Sequence, residues 1–215
     1  LGALRHAERT GEGQHVDVAL LDCQIAMLAN QATNFLVSGK APGRLGNAHP
    51  NIAPYQVFKT QDGHIVIAVG NDGQFAAFAK TIGAADLADD DRYKTNRSRV
   101  ANRESLTAAI APVMREKTTA AWLAAMEAAT VPAGPINSID AVFADPHVAA
   151  RAMTAPIERG DAGAARMVPH PVKYSKTPAR ADLPPPSIGS HTDDILAEFT
   201  DAKEIAALRK RGVVG

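Results

Sequence analysis

The sequence predicts a mixed α/β chain, and three observations carry that prediction. Two runs rich in β-branched and aromatic residues, 55–60 and 64–69, flank Gln61-Asp62-Gly63, whose Asp-Gly step favours a tight hairpin. Phe75, Phe78, Ala79 and Ile82 then recur at the i, i+3, i+4, i+7 spacing of one helix face. Helical periodicity returns at Leu106, Ala109, Ile110 and Val113, and again at Trp122, Met126 and Ala129. Read from the residues alone, α/β and α+β arrangements both remain open.

The elements follow in order. Residues 1–9 read as the last turns of a helix that continues upstream in a parent chain, ended by Gly11 and Gly13, which tolerate the backbone angles of a cap. Residues 14–18 alternate polar and apolar as a short strand would. Residues 19–37 are helical in period and mostly apolar, with Leu21, Ile25, Leu28, Ala32, Phe35 and Leu36 in a wide stripe that wants burial on more than one side. Turn-forming residues occupy 38–54 and mark the first domain boundary.

After the hairpin, the next helix begins with Asp72 or Gly73 near its cap. Residues 89–103 hold three consecutive aspartates and four arginines, and read as a solvated linker with local ion pairs. Trp122 reads as a core anchor in a helix opened by Thr118 or Thr119. Val131-Pro132-Ala133-Gly134-Pro135 breaks the helices, and a short helix opens near Asp145-Pro146. Beyond Met153, Pro156, Gly160, Gly163, Pro169, Pro171 and Pro178 divide the chain into short extended pieces. Ser190 to Asp193 and Asp201 to Glu204 fit two capping boxes before terminal helices. Three units result: 1–45, 46–155 and 156–215, of which the first and third can share a domain.

Composition removes several function classes. Lys plus Arg (23) balances Asp plus Glu (23), so no net positive field gathers nucleic acid or an anionic membrane surface. An apolar fraction of 46% against 21% charged suits a folded chain of 215 residues. No apolar run is long enough to span a bilayer. The one cysteine, Cys23, rules out an intrachain disulfide framework and reads as a buried small hydrophobe.

Candidate chemistry is sparse. Gly11-Glu12-Gly13 follows a helix and precedes an extended run, the reverse of the order that points backbone amides at phosphate. Gly39-Lys40 lacks the preceding glycine spacing of a phosphate loop. The seven histidines form no His-x-x-x-His pair, and no Cys/His cluster suggests a metal. No nucleophile elbow appears. His49 stands out, because it lies in a loop beside Gly46, Asn47, Pro50 and Asn51, where its side chain can reach a ligand; a turn residue bonded to nearby backbone is the competing reading.

Several strings nevertheless occur together in family order: Arg9-Thr10-Gly11-Glu12-Gly13-Gln14-His15-Val16-Asp17-Val18, Gly46-Asn47-Ala48-His49-Pro50-Asn51-Ile52-Ala53-Pro54-Tyr55, Val131-Pro132-Ala133-Gly134-Pro135-Ile136, and Ser187-Ile188-Gly189-Ser190-His191-Thr192-Asp193. In these the chain resembles the C-terminal portion of class III coenzyme A transferases, the CaiB/BaiF type. The resemblance implies a small α/β domain (46–155) and two segments (1–45 and 156–215) of a Rossmann-like large domain, in an interlocked homodimer. It implies a cytoplasmic enzyme that moves coenzyme A between an acyl-CoA and a carboxylic acid, without a metal, through an aspartate expected upstream of Leu1. The 215-residue chain alone is then expected to be inactive, with no catalytic residue of its own. Asp17 and Asp22 fall after that nucleophile in the family pattern and are expected to be structural.

The same resemblance places Leu20 at the CoA adenine site and Gly46, Asn47 and His49 in a loop near the reacting groups. That loop is glycine-rich in formyl-CoA transferase, and His49 and Pro50 depart from its pattern. A 2-methylacyl-CoA racemase of the same fold family, or a nonenzymatic CoA-binding or assembly fragment, are the alternatives.

Overall fold

The computed structural model describes residues 1–158, 163–179 and 184–215; Gly160 of the expected extended stretch lies outside the described residues. The chain divides into two compact units, Leu1–Ile136 and Asn137–Gly215.

The first unit is built on the expected hairpin. β1 (Tyr55–Lys59) and β2 (His64–Ala68) run antiparallel, Tyr55 opposite Ala68 and Lys59 opposite His64. The Thr60 amide closes the turn on the Gly63 carbonyl at 3.0 Å. β3 (Ala133–Pro135) adds antiparallel to β2 and makes β2 the central strand. Sequence periodicity missed β3, because three residues of Ala-Gly-Pro carry no alternation; strand status comes from the free edge of β2.

Side chains two apart on β2, Ile65 and Ile67, are buried, as is Phe58 across from Ile65. They pack with α4 (Asp72–Thr81), α6 (Arg103–Met114) and α7 (Thr119–Ala128) through Phe75, Phe78, Leu106, Ile110, Met114 and Met126. The cap falls where expected, beside Asp72: Asn71 accepts from the Gln74 amide and starts α4. Trp122 is the core anchor expected of it: it is buried, and its Nε1 donates to the Met114 carbonyl at 2.8 Å. Asp62 in the hairpin turn accepts from the Thr119 amide at 2.8 Å, so the turn also fixes the start of α7.

The reading of 89–103 as a solvated linker is corrected. The expected local pair exists, Arg92 with Asp90 at 2.7 Å. Yet residues Asn96–Ala101 form α5, and Arg99 within it is fully buried. Burial of its guanidinium is offset by bonds to the Ala53 carbonyl (2.6 Å), the Tyr93 carbonyl (2.9 Å) and the Asp72 carboxylate (2.8 Å), and by stacking over the Phe75 ring.

Three helices precede the hairpin: α1 (Gly2–Thr10), α2 (Leu20–Ala26) and α3 (Asn30–Ser38). The expected strand at 14–18 does not form, since among the described residues no partner strand closes its hydrogen bonds. The expected single helix over 19–37 is two helices, broken where Ala29 takes φ 47. None of the three helices buries a residue. Cys23 is therefore exposed, not buried as expected, because no element among the described residues covers the apolar stripe of its helix.

In the second unit α8 (Ile139–Ala144) leads into α9 (Pro146–Ala150), whose N-cap Asp145 accepts from the His147 amide at 2.7 Å. β4 (Ala155–Glu158) and β5 (Ala164–Met167) pair antiparallel. α10 (Thr192–Leu196) starts at His191 without a side-chain cap, so the first expected capping box is absent; its Asp193 pairs with Arg209 at 2.9 Å. α11 (Ala202–Lys210) has the expected cap, Asp201 accepting from the Glu204 amide at 2.9 Å.

Candidate functional site

Residues 46–54 fold into a loop fastened on three sides. Gly46 opens it at φ 60, a left-handed angle that glycine takes without strain. Asn47 Oδ1 accepts from the Val57 amide at 2.9 Å, and the His49 amide donates to the Tyr55 carbonyl at 2.9 Å. The loop thereby satisfies two outward-facing backbone groups of β1, the Tyr55 carbonyl and the Val57 amide.

The second side is α3. Asn34 and Asn51 exchange amide hydrogen bonds at 2.9 and 3.1 Å, and Asn30 meets His49 Nε2 at 3.4 Å. Asn30 and Asn34 stand one turn apart, so one helix face meets the loop. The third side comes from α5 and the start of α6. Asn96 donates to the Asn51 carbonyl (2.9 Å) and accepts from the Ala53 amide (3.2 Å), Arg99 donates to the Ala53 carbonyl, and Arg103 donates to the Pro50 carbonyl at 3.0 Å.

His49 lies at the centre, half-buried, its ring stacked on Tyr55 with centroids 5.2 Å apart and planes 10° from parallel. Its Nδ1 accepts from the Asn51 amide at 3.2 Å. Among the described residues, Arg103 Nη1 and Gln31 Oε1 are buried without a hydrogen-bond partner. Burial pushes the Arg103 guanidinium below its ordinary pKa, although an arginine stays charged at neutral pH.

The structure thus gathers Gly46, Asn47 and His49, three of the residues singled out in the sequence. Leu20, the fourth, is the first residue of α2, is 85% exposed, and lies outside this hydrogen-bonded cluster. Asp17 and Asp22 are exposed, and no hydrogen bond from either side chain occurs among the described residues. Sequence reasoning missed Asn30, Asn34, Asn96, Arg99 and Arg103. A signal existed, because 30 and 34, and 96, 99 and 103, are polar residues at helical spacing; what it lacked was the identity of the backbone they hold.

Chemically the loop is flanked by neutral hydrogen-bond donors and two guanidinium groups, Arg99 and Arg103, of which Arg99 is paired with the Asp72 carboxylate. Such a surface can orient and polarise a carbonyl or carboxylate. Among the described residues no group of three or more His, Cys, Asp or Glu could hold a metal ion, and no helix is long and apolar enough to cross a membrane.

Residues 1–192 match the model of CoA-transferase family III. The chain belongs to that family. It is 47% identical over 204 residues to a succinate–glutarate CoA-transferase of Agrobacterium fabrum, covering 95% of this chain and 51% of the relative. It is 39% identical over 208 residues to the succinyl-CoA:glutarate CoA-transferase of Homo sapiens, covering 96% and 48%. A crystal structure of a CAIB/BAIF family protein from Brucella suis superimposes with a TM-score of 0.73 at 44% identity, over 93% of this chain and 51% of that one. The family III chain described here spans about half the length of the curated relatives it matches.

Proposed function

We propose that the protein carrying this chain transfers coenzyme A between an acyl-CoA and a carboxylic acid, and that the acid is a dicarboxylate. The observation that carries this reading is the identity of 47% and 39% to two transferases named for succinate and glutarate. In this reading 1–45 and 156–215 belong to a large domain and 46–155 to a small one, in an interlocked cytoplasmic homodimer. Leu20 serves the nucleotide end of CoA. Gly46, Asn47 and His49 serve the acyl end.

The nucleophile in this reading is an aspartate carboxylate upstream of Leu1. It attacks the thioester carbonyl, a C–O bond forms, the C–S bond breaks, and CoA leaves as thiolate, giving a mixed anhydride. The thiolate attacks the aspartyl carbonyl of that anhydride, releasing the donor acid and leaving an enzyme-CoA thioester. The acceptor carboxylate repeats the sequence in reverse. Acyl activation is conserved throughout, and the step that demands most of the protein is stabilising the oxygen that gains charge at each attack.

The test uses the full-length protein beside the 215-residue chain, each given succinyl-CoA and glutarate. Full-length protein is expected to form glutaryl-CoA and a covalent enzyme-CoA species visible by mass spectrometry, and the chain alone neither. Racemisation of a 2-methylacyl-CoA without exchange between acids, or exchange by the chain alone, would overturn the reading.

A further inference from the structure

The hydrogen bonds around His49 determine which of its nitrogens can act. A neutral imidazole has one N–H and one bare nitrogen. Asn51 donates its amide N–H to Nδ1, so Nδ1 carries no proton, and the ring proton is on Nε2. Asn30 is placed with Nδ2 facing Nε2 at 3.4 Å, which would set two donors against each other. Turning the Asn30 amide by half a revolution exchanges its oxygen and nitrogen and makes Nε2–H···Oδ1 a proper pair, an interchange the hydrogen-bond network decides.

The turn itself is a local device. His170-Pro171-Val172 repeats it, the Val172 amide lying 3.2 Å from His170 Nδ1. His170 is exposed, whereas His49 is half-buried, stacked on Tyr55 and faced by Asn30. Proline after the histidine fixes the backbone of the turn. Arg99, Asn96 and Arg103 then hold the carbonyls of Ala53, Asn51 and Pro50, so neither end of the turn is free to swing the ring away.

We propose that His49 works as a fixed Nε2–H hydrogen-bond donor, and that the oxygen it serves is the thioester or carboxylate oxygen that gains negative charge when the acyl carbon is attacked. The proposal rests on the CoA-transfer reading above and specifies the chemistry of its loop. The proton stays on Nε2; His49 abstracts none and forms no covalent bond. Asn30 holds the donor while substrate is absent and yields it to the charged oxygen, a stronger acceptor than a neutral amide. Asn51 and Arg99 are positioning residues, acting through the ring and the loop.

Two measurements test this. Long-range proton–nitrogen correlation on the nitrogen-labelled 215-residue chain reports the tautomer directly. A bare Nδ1 with a protonated Nε2 is expected, and a protonated Nδ1 overturns the proposal. In the full-length enzyme, His49→Ala is expected to lower kcat on the order of 100-fold, as loss of one oxyanion donor does, with KM for acyl-CoA little changed. His49→Gln, whose amide can place an N–H near the position of Nε2–H, is expected to recover about tenfold of that loss, and His49→Asn, which is shorter, to recover little. Gln no better than Ala, or a Gln variant whose pH–rate profile loses an ionisation present in the wild type, overturns the donor role. Full-length wild type without CoA transfer overturns the function and the donor role together, an outcome told apart from the others because no variant need be compared.

Discussion

Arg99 shows how far a single side chain can depart from its composition class. It lies in a highly charged stretch of the chain and is nevertheless 0% exposed, because four acceptors and an aromatic face meet its planar fork. Arg99→Met is expected to cost about 3 kcal/mol in urea unfolding, since it strands the Ala53 and Tyr93 carbonyls in the core. Asp72→Asn removes the same ion pair from its exposed side and is expected to cost under about 1 kcal/mol. Equal losses for the two variants would show that the charge pair, and not backbone satisfaction, sets the value of Arg99. Asp62 gives a prediction in pH. The Thr119 amide and hydroxyl hold its carboxyl below the ordinary value of 3.8, so the folded pKa is lower than the unfolded one. Its contribution is fully present above the unfolded pKa and is lost as pH falls through the folded one. Asp62→Ala is expected to lower the melting temperature at pH 7 and to flatten its decline below about pH 4; an unchanged slope there would remove Asp62 from the acid transition.

At the scale of elements, the helices divide sharply. α4, α6 and α7 each insert two or more side chains into one core, and Trp122→Ala in α7 is expected to cost about 3–5 kcal/mol, read by denaturant unfolding. α2 and α3 insert none, and Leu20, Leu36 and Val37 are 85%, 79% and 83% exposed. The folded 215-residue chain is accordingly expected to bind a hydrophobic dye, and Leu36→Lys with Val37→Lys to reduce that binding without lowering the unfolding midpoint. Cys23, on α2, is expected to react with a thiol reagent in the native chain as fast as in the denatured one. A slow native reaction would place α2 under cover. The strand at 14–18 failed for a related reason: alternation states which residues could face a core, and no strand among the described residues lies beside it to make the ladder.

Over the whole chain, burial is uneven. Leu1–Ile136 contains the core of aromatic and branched side chains around β2, whereas in Asn137–Gly215 the buried apolar residues among those described are Ile157 and Ile205. Native-state hydrogen exchange is expected to be slowest at Ile65, Ile67 and Ile110 and to proceed through lower-energy openings across 137–215. Comparable protection in both units would mean that the second is stabilised by more than its own contacts.

The sequence by itself determined the hairpin at 55–68, the register of the α4, α6 and α7 faces and the anchoring role of Trp122, because each is written in side-chain period or in turn chemistry between near neighbours. It also put Gly46, Asn47 and His49 in one loop, through their adjacency. Tertiary structure decided the rest. β3 is a strand only because β2 has an edge to fill, Arg99 is buried only because Ala53 and Asp72 are brought to it, and His49 acquires a defined donor nitrogen only when the loop closes on Asn51 and Asn30. Each of those outcomes satisfies a polar group with a partner set by the folded geometry. Periodicity reports which way a side chain faces and carries no record of what will be waiting there.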